Sequence, residues 1–403
     1  MRSIKSVYKI GNGPSSSHTV GPYRAAIYIR DKYPGASCKV TLYGSLATTG
    51  AGHGTQKAIQ TVLPNVEISL NTTEKNLPHP NTMDFEVTPP GQAPKTVRVL
   101  SIGGGSLQVE GESFREDAEV YPQKNFTEII HFCQDHDMDL KQYVEYFEDD
   151  DVRDYLLTVW HAMEECVQRG LKAEGCLPGG LNLTRKAKKL YESRCYNESL
   201  DISMERTIAA FAYAVAEESA SEHVVVTAPT CGSCGVLPSV LYYLRYFRGY
   251  PEEEIVDALE VAGIVGNVIR TNASISGAEC GCQAEIGSAC SMTAAAFAYL
   301  SKLSIGQIEF AAETAMEHNL GLTCDPVMGL VQIPCIERNA VAALRAMNAG
   351  DLSRFLFATR RISFDDVVDT MYRTGKDMSE KYRETAHGGL AELYHDNKTK
   401  EKV

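Results

Sequence analysis

Three cysteines between Gly277 and Asn339 are the residues whose type and spacing most directly indicate chemistry. Cys282, Cys324 and Cys335 lie 42 and 11 residues apart, spacings that no local zinc knuckle produces, so only folding can bring them together. Each lies where a helix is expected to begin or break, and N–H groups there stabilise thiolates and sulfide. The three thiols are candidate ligands of an iron-sulfur cluster with one open iron. On spacing alone, three unconnected buried thiols fit equally well.

The loop at residues 11–22, GNGPSSSHTVGP, is the second unusual stretch. It combines three serines, a histidine and a threonine with backbone N–H groups beside the start of a predicted helix. That arrangement suits a carboxylate or a phosphate. An N-capped surface turn explains the same residues equally well.

Three histidines in the first part of the chain are candidate proton acceptors: His18 in this loop, His53 in GHGT and His79 in HPNT. An unperturbed histidine has a pKa of about 6.5, which makes it the usual general base near neutrality. A lone histidine in a loop is more often simply exposed. Residue type therefore leaves the choice among the three open.

Cys231 and Cys234 form a C-x-x-C pair, which alone could be a redox dithiol or half of a zinc site. A zinc site needs a second pair at similar spacing, and Cys280 and Cys282 have the wrong spacing. Tight packing of a glycine-rich loop is the favoured interpretation. The sequence contains neither a complete dinucleotide fingerprint nor a P-loop motif.

The composition is that of a globular protein, with 403 residues, 44% hydrophobic and 23% charged, and a net charge of −13. The negative charge disfavours nucleic-acid binding, which depends on clustered Lys and Arg. The N-terminus lacks a signal-peptide pattern, and no apolar run reaches the ~20 residues that span a bilayer. We therefore expect a cytoplasmic protein without a membrane partner. In a reducing compartment, clustered cysteines favour metal binding or catalysis over disulfides.

Hydrophobic periodicity predicts an α+β protein, in which a small N-terminal α/β-sandwich-like domain precedes a large all-helical domain. We expect the small domain over 1–112, a charged, turn-rich linker over 113–124 and the helical domain over 125–403. The small domain should begin with a helix at Pro22–Lys32. Its predicted strands are Cys38–Gly44, Val66–Leu70, Asp84–Val87 and Thr96–Ile102.

Helical patterns dominate the second part of the chain. One of them, Ala284–Leu303, is so rich in small residues that we expect it to be buried on all sides in a large bundle. The predicted helices are Phe126–His136, Asp150–Leu171, Glu205–Ser219, Leu237–Phe247, Glu252–Ile269, Ala284–Leu303, Gly306–Glu317, Ile336–Met347 and Phe364–Ser379.

Nearly the whole chain resembles the bacterial iron-sulfur L-serine dehydratases, also called L-serine ammonia-lyases. The resemblance includes KIGNGPSSSHTVGP, GHGT, HPNT and SIGGG in the first domain. In the second it includes PGGLN, APTCGSCGVLP, GAECGCQAEIGSACSM, LTCDPVMGLVQIPCIERNA and GKDMSEKYRETAHGGLA. Several of these motifs are long enough that chance matching is negligible. The order of the two domains also resembles that of the single-chain members.

The resemblance implies elimination of water from L-serine to give pyruvate and ammonia, without pyridoxal phosphate. It implies a 4Fe-4S cluster ligated by Cys282, Cys324 and Cys335, whose fourth iron acts as a Lewis acid on the β-hydroxyl. It also implies that the first domain caps the cluster, with His18 or His79 as the proton-transfer group. The substrate-binding residues implied in this way are Ser15, Ser16, Ser17, His18 and Thr19.

One difference from some family members concerns the fourth iron. Those members end in a cysteine that folds back onto it, whereas no cysteine follows Cys335 here, so we expect an open site. Two alternatives remain. One is a pyridoxal-phosphate-type amino-acid lyase, for which we find no convincing Schiff-base lysine and phosphate cradle. The other is an iron-sulfur redox or iron sensor with a regulatory α+β domain. A homodimer is the expected assembly, with L-serine as the small-molecule partner.

Overall fold

The structure is a computed structural model that describes residues 1–112, 119–194 and 196–400. Residues 113–118, which belong to the predicted linker, lie outside the described part. The division of the chain into two domains and a linker stays a prediction. The strands are β1 (Ile10–Asn12), β2 (Ser37–Tyr43), β3 (Glu67–Asn71), β4 (Thr82–Thr88), β5 (Lys95–Ser101), β6 (Leu107–Val109) and β7 (Val224–Val226).

Helices dominate the chain after the sheet. Those before residue 112 are α1 (Gly21–Lys32), α2 (Gly44–Thr49) and α3 (Thr55–Val62). Those after it are α4 (Phe126–Asp135), α5 (Leu140–Phe147), α6 (Val152–Lys172), α7 (Ala187–Glu192), α8 (Leu200–Ala220), α9 (Val236–Phe247), α10 (Glu252–Asn272), α11 (Gly277–Cys280), α12 (Ser288–Leu300), α13 (Ile305–Glu317), α14 (Cys335–Leu356), α15 (Phe364–Asp377) and α16 (Gly389–Lys400). The α+β expectation is confirmed, with the three-residue β7 as a minor addition to the helical part. None of the described helices combines the length and apolar character needed to cross a membrane.

The strands β2 to β6 form one mixed sheet in the order β3-β2-β4-β5-β6, in which β2 and β3 are parallel and the other pairs antiparallel. Along β4, the buried residues Met83, Phe85 and Val87 alternate with the more accessible Asp84 and Glu86. This alternation gives the sheet one apolar face, which packs against α1 and α3. All four predicted strands are present, each within two residues of its predicted bounds.

Helix α12 lies at the centre of the helical part, where it packs against α9, α10, α13 and α14. Its small side chains let these helices approach closely: Ser291 Oγ donates to Ala312 O at 2.8 Å, and Cys290 Sγ donates to Ala342 O at 3.3 Å. All of its residues except Tyr299 are buried. The expectation of a helix surrounded by others is therefore confirmed.

The first residues of the chain pack on the helical part, not on the sheet. Ile4, Val7 and Tyr8 are buried in the same hydrophobic core as the helices, and the Tyr8 hydroxyl donates to Leu259 O at 2.7 Å. Strand β1 pairs antiparallel with β7 of the helical part. The loop that follows β1 therefore runs from the helical part to the sheet-containing part, and it lies where the two meet.

Two short π-helical segments, Ser16–Val20 and Gln283–Gly287, coincide with the two stretches that the sequence marks for chemistry. The second replaces the first turn of the predicted helix 284–303, so α12 begins at Ser288 instead. The side chain of Gln283 bonds to main-chain groups of three other residues and holds this segment in place. Single π-helical turns are uncommon and often occur at functional sites.

Candidate functional site

Three thiols from separate segments converge in the helical part. Cys282 directly precedes the π-helical segment 283–287, Cys324 lies in the loop after α13, and Cys335 is the first residue of α14. Each of the three residues is at most 9% exposed. The thiols of Cys282 and Cys324 lie close enough for each to shift the pKa of the other. Folding thus brings together the three cysteines that sequence spacing could only suggest.

Arg338 supplies a positive charge beside these thiols. It lies one turn after Cys335 on α14, and its Nη1 donates to Thr323 O at 2.6 Å. The hydrogen bond from Cys324, assisted by the Arg338 guanidinium, lowers the pKa of the Cys282 thiol to about 6. The bond to Cys282 together with burial raises the pKa of Cys324, and burial raises that of Cys335. Without a metal, one thiol of the three is therefore a thiolate near neutrality.

Two glycines leave room for the thiol-bearing loops. A Cβ at Gly277 would lie 2.6 Å from Glu285 Oε2 and 3.3 Å from Cys324 Sγ. Gly281 has a φ of +75°, and a Cβ there would lie 2.8 Å from Met378 Sδ. A side chain at either position would displace a loop that carries a cysteine.

Glu285 is a carboxyl group beside the thiols. Thr230 Oγ1 donates to its Oε1 at 2.7 Å. Burial, together with the negative charge of Cys282, raises the pKa of Glu285 to about 8. In the metal-free chain this carboxyl group is therefore mostly protonated at neutral pH, which avoids a second negative charge next to the Cys282 thiolate.

The serine-histidine loop, residues 15–19, is an interior element. All five residues are at most 9% exposed, and His18 is fully buried. Ser15 caps the π-helical turn by accepting a hydrogen bond from His18 N at 3.1 Å. Ser16 Oγ is buried and has no hydrogen-bond partner among the described residues. The interpretation of this loop as a surface turn is therefore wrong, because its residues are enclosed between the sheet-containing and helical parts.

His18 contacts both parts of the protein. Its Nε2 lies 2.9 Å from Ser45 Oγ in α2, and its Nδ1 lies 3.3 Å from Ser15 Oγ. The same Nδ1 lies 3.4 Å from Oε1 of Glu384, which follows α15. Burial, reinforced by the neighbouring His53, lowers the pKa of His18 well below its usual value. His18 is thus held as a neutral imidazole.

His53 lies against His18, with ring centroids 4.5 Å apart. Its Nε2 is 3.8 Å from Glu384 Oε1, and neither ring nitrogen makes a well-aligned hydrogen bond to any described residue. Burial lowers the pKa of His53 to about 4. One ligand atom from each of His18, His53 and Glu384 lies within 4.8 Å of the others, a donor set of the type that can also hold a cation.

His79 lies close enough to His18 to contribute to its lowered pKa. Its Nδ1 accepts a hydrogen bond from Asn81 N at 3.0 Å, and its Nε2 is buried without a partner in the described part of the chain. Burial lowers the pKa of His79 as well. All three histidines singled out from the sequence therefore belong to the same neighbourhood, and His18 and His53 are the pair that Glu384 contacts.

Glu384 is one of the site residues that the sequence pattern did not identify. It is 6% exposed, its N donates to Cys324 O at 2.8 Å, and its O accepts from Ser45 Oγ at 3.0 Å. It thereby links a thiol-bearing loop to the sheet-containing part. Arg338 and Glu285 were missed too. All three lie inside motifs that carry the family resemblance, but neither residue type nor spacing separates them from other charged residues.

The arrangement combines three chemical capacities in one enclosed site. Buried thiols beside a guanidinium can hold a soft metal or an iron-sulfur cluster. Neutral imidazoles can accept a proton, and hydroxyl and N–H groups of loop 15–19 can bind a carboxylate. A cavity of about 340 Å³ is lined in part by Pro14 and Gly52, but its lining includes none of the thiols, histidines or residues 15–19 described above.

Comparison with known proteins gives a consistent result along the chain. Residues 59–391 match the serine dehydratase alpha chain family, and residues 3–67 match the serine dehydratase beta chain family. The chain is 39% identical to L-serine dehydratase of Streptomyces coelicolor, an alignment that covers 96% of this chain and 98% of the relative. It is 38% identical to L-serine dehydratase 1 of Escherichia coli, with 97% and 99% covered. It is 36% identical to L-serine dehydratase of Helicobacter pylori, with 96% and 98% covered.

Proposed function

The chain belongs to the serine dehydratase family, and from this premise we propose that it is a lyase that eliminates water from L-serine to give pyruvate and ammonia. The observation that carries the proposal is the convergence of Cys282, Cys324 and Cys335 with the buried His18 in one site. An elimination needs a group that assists departure of the hydroxyl and a base for the α-proton. The three cysteines can hold the group that assists departure of the hydroxyl, and the buried histidine can act as the base.

We propose that the cofactor is a 4Fe-4S cluster held by Cys282, Cys324 and Cys335, with one iron left open. The residues fit such a group: the thiols are buried, they come from three segments, and Arg338 offsets negative charge beside them. The clearance at Gly277 and Gly281 supports the same assignment. When bound, the cluster would supply a Lewis acid for the β-hydroxyl of the substrate.

The serine-histidine loop is the proposed substrate-binding element. Its hydroxyl and N–H groups suit the carboxylate of L-serine. Ser16 Oγ, which has no hydrogen-bond partner among the described residues, is a donor available for that role. The proposed substrate-binding residues are Ser15, Ser16, Ser17, His18 and Thr19. Enclosure of the loop excludes water, which strengthens each of these contacts.

Proton transfer is assigned to the buried histidines. His18 and His79 are the proposed residues, and His53 joins them because both of its ring nitrogens lack a well-aligned partner in the described chain. The base takes the α-proton while the bond from Cβ to the hydroxyl oxygen breaks. The aminoacrylate product tautomerises to an imine, and water hydrolyses the imine to pyruvate and ammonia. The elimination releases one water molecule, and hydrolysis of the imine consumes one.

We further propose a cytoplasmic homodimer that acts on free L-serine and binds neither nucleic acid nor a membrane. The net charge of −13 supports the absence of a nucleic-acid partner. Phe355, at the end of α14, is 76% exposed, and Leu356 beside it is 44% exposed. An exposed apolar pair of this kind supports association of two chains.

Anaerobic reconstitution with iron and sulfide, followed by a pyruvate assay on L-serine, tests the function. Cys282→Ser, Cys324→Ser and Cys335→Ser should each lose bound iron and at least about 100-fold in turnover. Cys290→Ser is the matched control, because Cys290 is equally buried but bonds to Ala342 O in the core. Full activity in any of the three variants would remove that cysteine from the ligand set.

The same preparation separates the two alternatives. A sensor would bind the cluster but produce no pyruvate from L-serine. A pyridoxal-phosphate enzyme would show a chromophore that borohydride reduces and would keep its activity in all three cysteine variants. A broad iron-sulfur absorption that air bleaches, together with pyruvate formation, is the result that we expect.

A further inference from the structure

We propose that Glu384 positions His18 and His53 against the thiol-bearing loops, so that one carboxyl group sets the geometry of proton transfer. The inference rests on the proposed function, and it assigns a role to a residue that neither the sequence pattern nor the family match singles out. Glu384 acts through the histidines, which makes it a positioning residue. Its contacts with His18, with Ser45 and with Cys324 carry the argument.

The contact with Ser45 assigns the proton on one nitrogen of His18. Ser45 Oγ donates its proton to Glu384 O at 3.0 Å. The neighbouring Thr49 hydroxyl is engaged with Ser45 O at 2.9 Å. Ser45 Oγ is therefore an acceptor toward His18 Nε2, which lies 2.9 Å away. A neutral His18 then carries its proton on Nε2 and presents a lone pair at Nδ1.

The lone pair at Nδ1 of His18 faces Glu384 Oε1 at 3.4 Å. Ser15 Oγ lies 3.3 Å from the same Nδ1, so the imidazole ring is held between the Ser15 hydroxyl and the Glu384 carboxyl group. The same Oε1 lies 3.8 Å from Nε2 of His53, whose ring packs against that of His18. One oxygen atom thus lies against both rings.

The main chain of Glu384 ties this oxygen to the thiol-bearing loop. Glu384 N donates to Cys324 O at 2.8 Å, and Cys324 N donates to Tyr382 O at 2.8 Å. The two segments therefore form a short parallel bridge around Cys324. Shortly afterwards, Leu390 N donates to Asp325 Oδ2 at 2.8 Å, which attaches the same segment to the residue after Cys324. These bonds thus fix the position of the Glu384 carboxyl group relative to Cys324.

Three variants of Glu384 in the reconstituted enzyme test the proposal. Glu384→Gln keeps the length and the polar end of the side chain, so we expect kcat within about tenfold of wild type. Glu384→Ala removes the contact and should lower kcat by about 100-fold, the cost of misplacing a reacting group by about 1 Å, with KM changed by less than about threefold. Glu384→Asp shortens the side chain and should fall between the two.

A kinetic isotope effect separates positioning from a structural role. With L-serine deuterated at Cα, Glu384→Ala should show a larger effect on kcat/KM than wild type, because proton transfer becomes more rate-limiting. Its iron content per chain should equal that of wild type. Glu313→Gln is the matched control, because Glu313 is another buried carboxyl group, 3% exposed, that lies on α13 outside the site.

A readout independent of turnover uses the metal-free full chain with ¹⁵N-labelled histidine. Wild type should show His18 with its proton on Nε2, and Glu384→Ala should change the imidazole signals of His18 and His53. Identical signals in the two proteins would overturn the proposal. An equal loss of kcat in Glu384→Gln and Glu384→Ala, or a loss of iron in either, would overturn it as well. If wild type turned over no L-serine, the proposed function would fail, and the NMR comparison would still test the positioning role.

Discussion

The Arg338 guanidinium lies beside the thiol of Cys282, and Arg338 Nη1 donates to Thr323 O at 2.6 Å, which holds the guanidinium in place. A guanidinium stays charged at every accessible pH, so this contact favours the thiolate form of the cysteine permanently. Cys282, one of the three proposed ligands, is therefore favoured as a thiolate even in the metal-free chain. The pKa of Cys282 is lowered to about 6, in part by this positive charge.

Replacing Arg338 with glutamine should therefore raise the pKa of Cys282. A rise of one unit lowers the thiolate fraction near pH 6 several-fold, so iodoacetamide should alkylate Cys282 of the metal-free chain more slowly there. Mass spectrometry of the peptide that contains Cys282, across pH 5 to 9, measures the shift. Arg345→Gln is the control, because Arg345 lies on the same helix and donates to His318 O instead. Superimposable profiles for wild type and Arg338→Gln would contradict the assignment.

Ser45→Ala should impair catalysis without unfolding the protein. The substitution removes the acceptor of His18 Nε2 and the bond to Glu384 O, which joins α2 to the segment after α15. We expect a loss in kcat of about tenfold, in line with one lost hydrogen bond. Thr48→Ala on the same helix is the control, since the Thr48 hydroxyl bonds locally, to Gly44 O and Ser45 O. Steady-state assays for pyruvate compare the two variants. Equal activities of Ser45→Ala and Thr48→Ala would remove Ser45 from the site.

Glu260→Gln should stabilise the protein at high pH. Glu260 is fully buried on α10, its Oε2 has no hydrogen-bond partner among the described residues, and burial raises its pKa to about 8. Between pH 4.5 and pH 8 the folded chain keeps a proton that the unfolded chain releases, so stability falls as the pH rises through this window. Glutamine resembles the protonated acid and cannot ionise.

The stability gain of Glu260→Gln over wild type should therefore be small at pH 5 and reach about 1–3 kcal/mol at pH 8.5. Urea denaturation of the metal-free chain at the two pH values measures it. Glu253→Gln, an exposed position on the same helix, should give no such difference. A gain of equal size at both pH values would show that ionisation of Glu260 is not its cause.

Gly170→Ala should destabilise the crossing of α6 and α8. A Cβ at Gly170 would lie 2.3 Å from Ala214 O and 2.6 Å from Ala214 C, and backbone atoms cannot rotate away. The two helices would have to separate, at a cost of about 1–3 kcal/mol. Thermal unfolding monitored by circular dichroism measures the loss. Glu165→Ala, at an exposed position of α6, should unfold within a degree or two of wild type.

Much of the fold could be predicted because its signals are local. Alternating β-branched residues marked all four predicted strands of the sheet, and small residues marked α12 as a central helix. The predicted bounds of a helix differ from the observed bounds where tertiary contacts change where the helix begins or ends. The π-helical segment 283–287 delays the start of α12, and α14 continues to Leu356, beyond the predicted end at Met347. Side-chain periodicity does not report either effect.

The sequence by itself determined the α+β class, the family resemblance and the cysteines and serine-histidine loop as candidates, because residue type and local spacing carry that information. Only the tertiary structure decided that loop 15–19 is buried and that Glu384 lies against His18 while its main chain binds Cys324. Such contacts join segments that are far apart in the sequence, from tens to hundreds of residues. These contacts leave no local pattern in the sequence, because burial and hydrogen-bond geometry exist only in the folded chain.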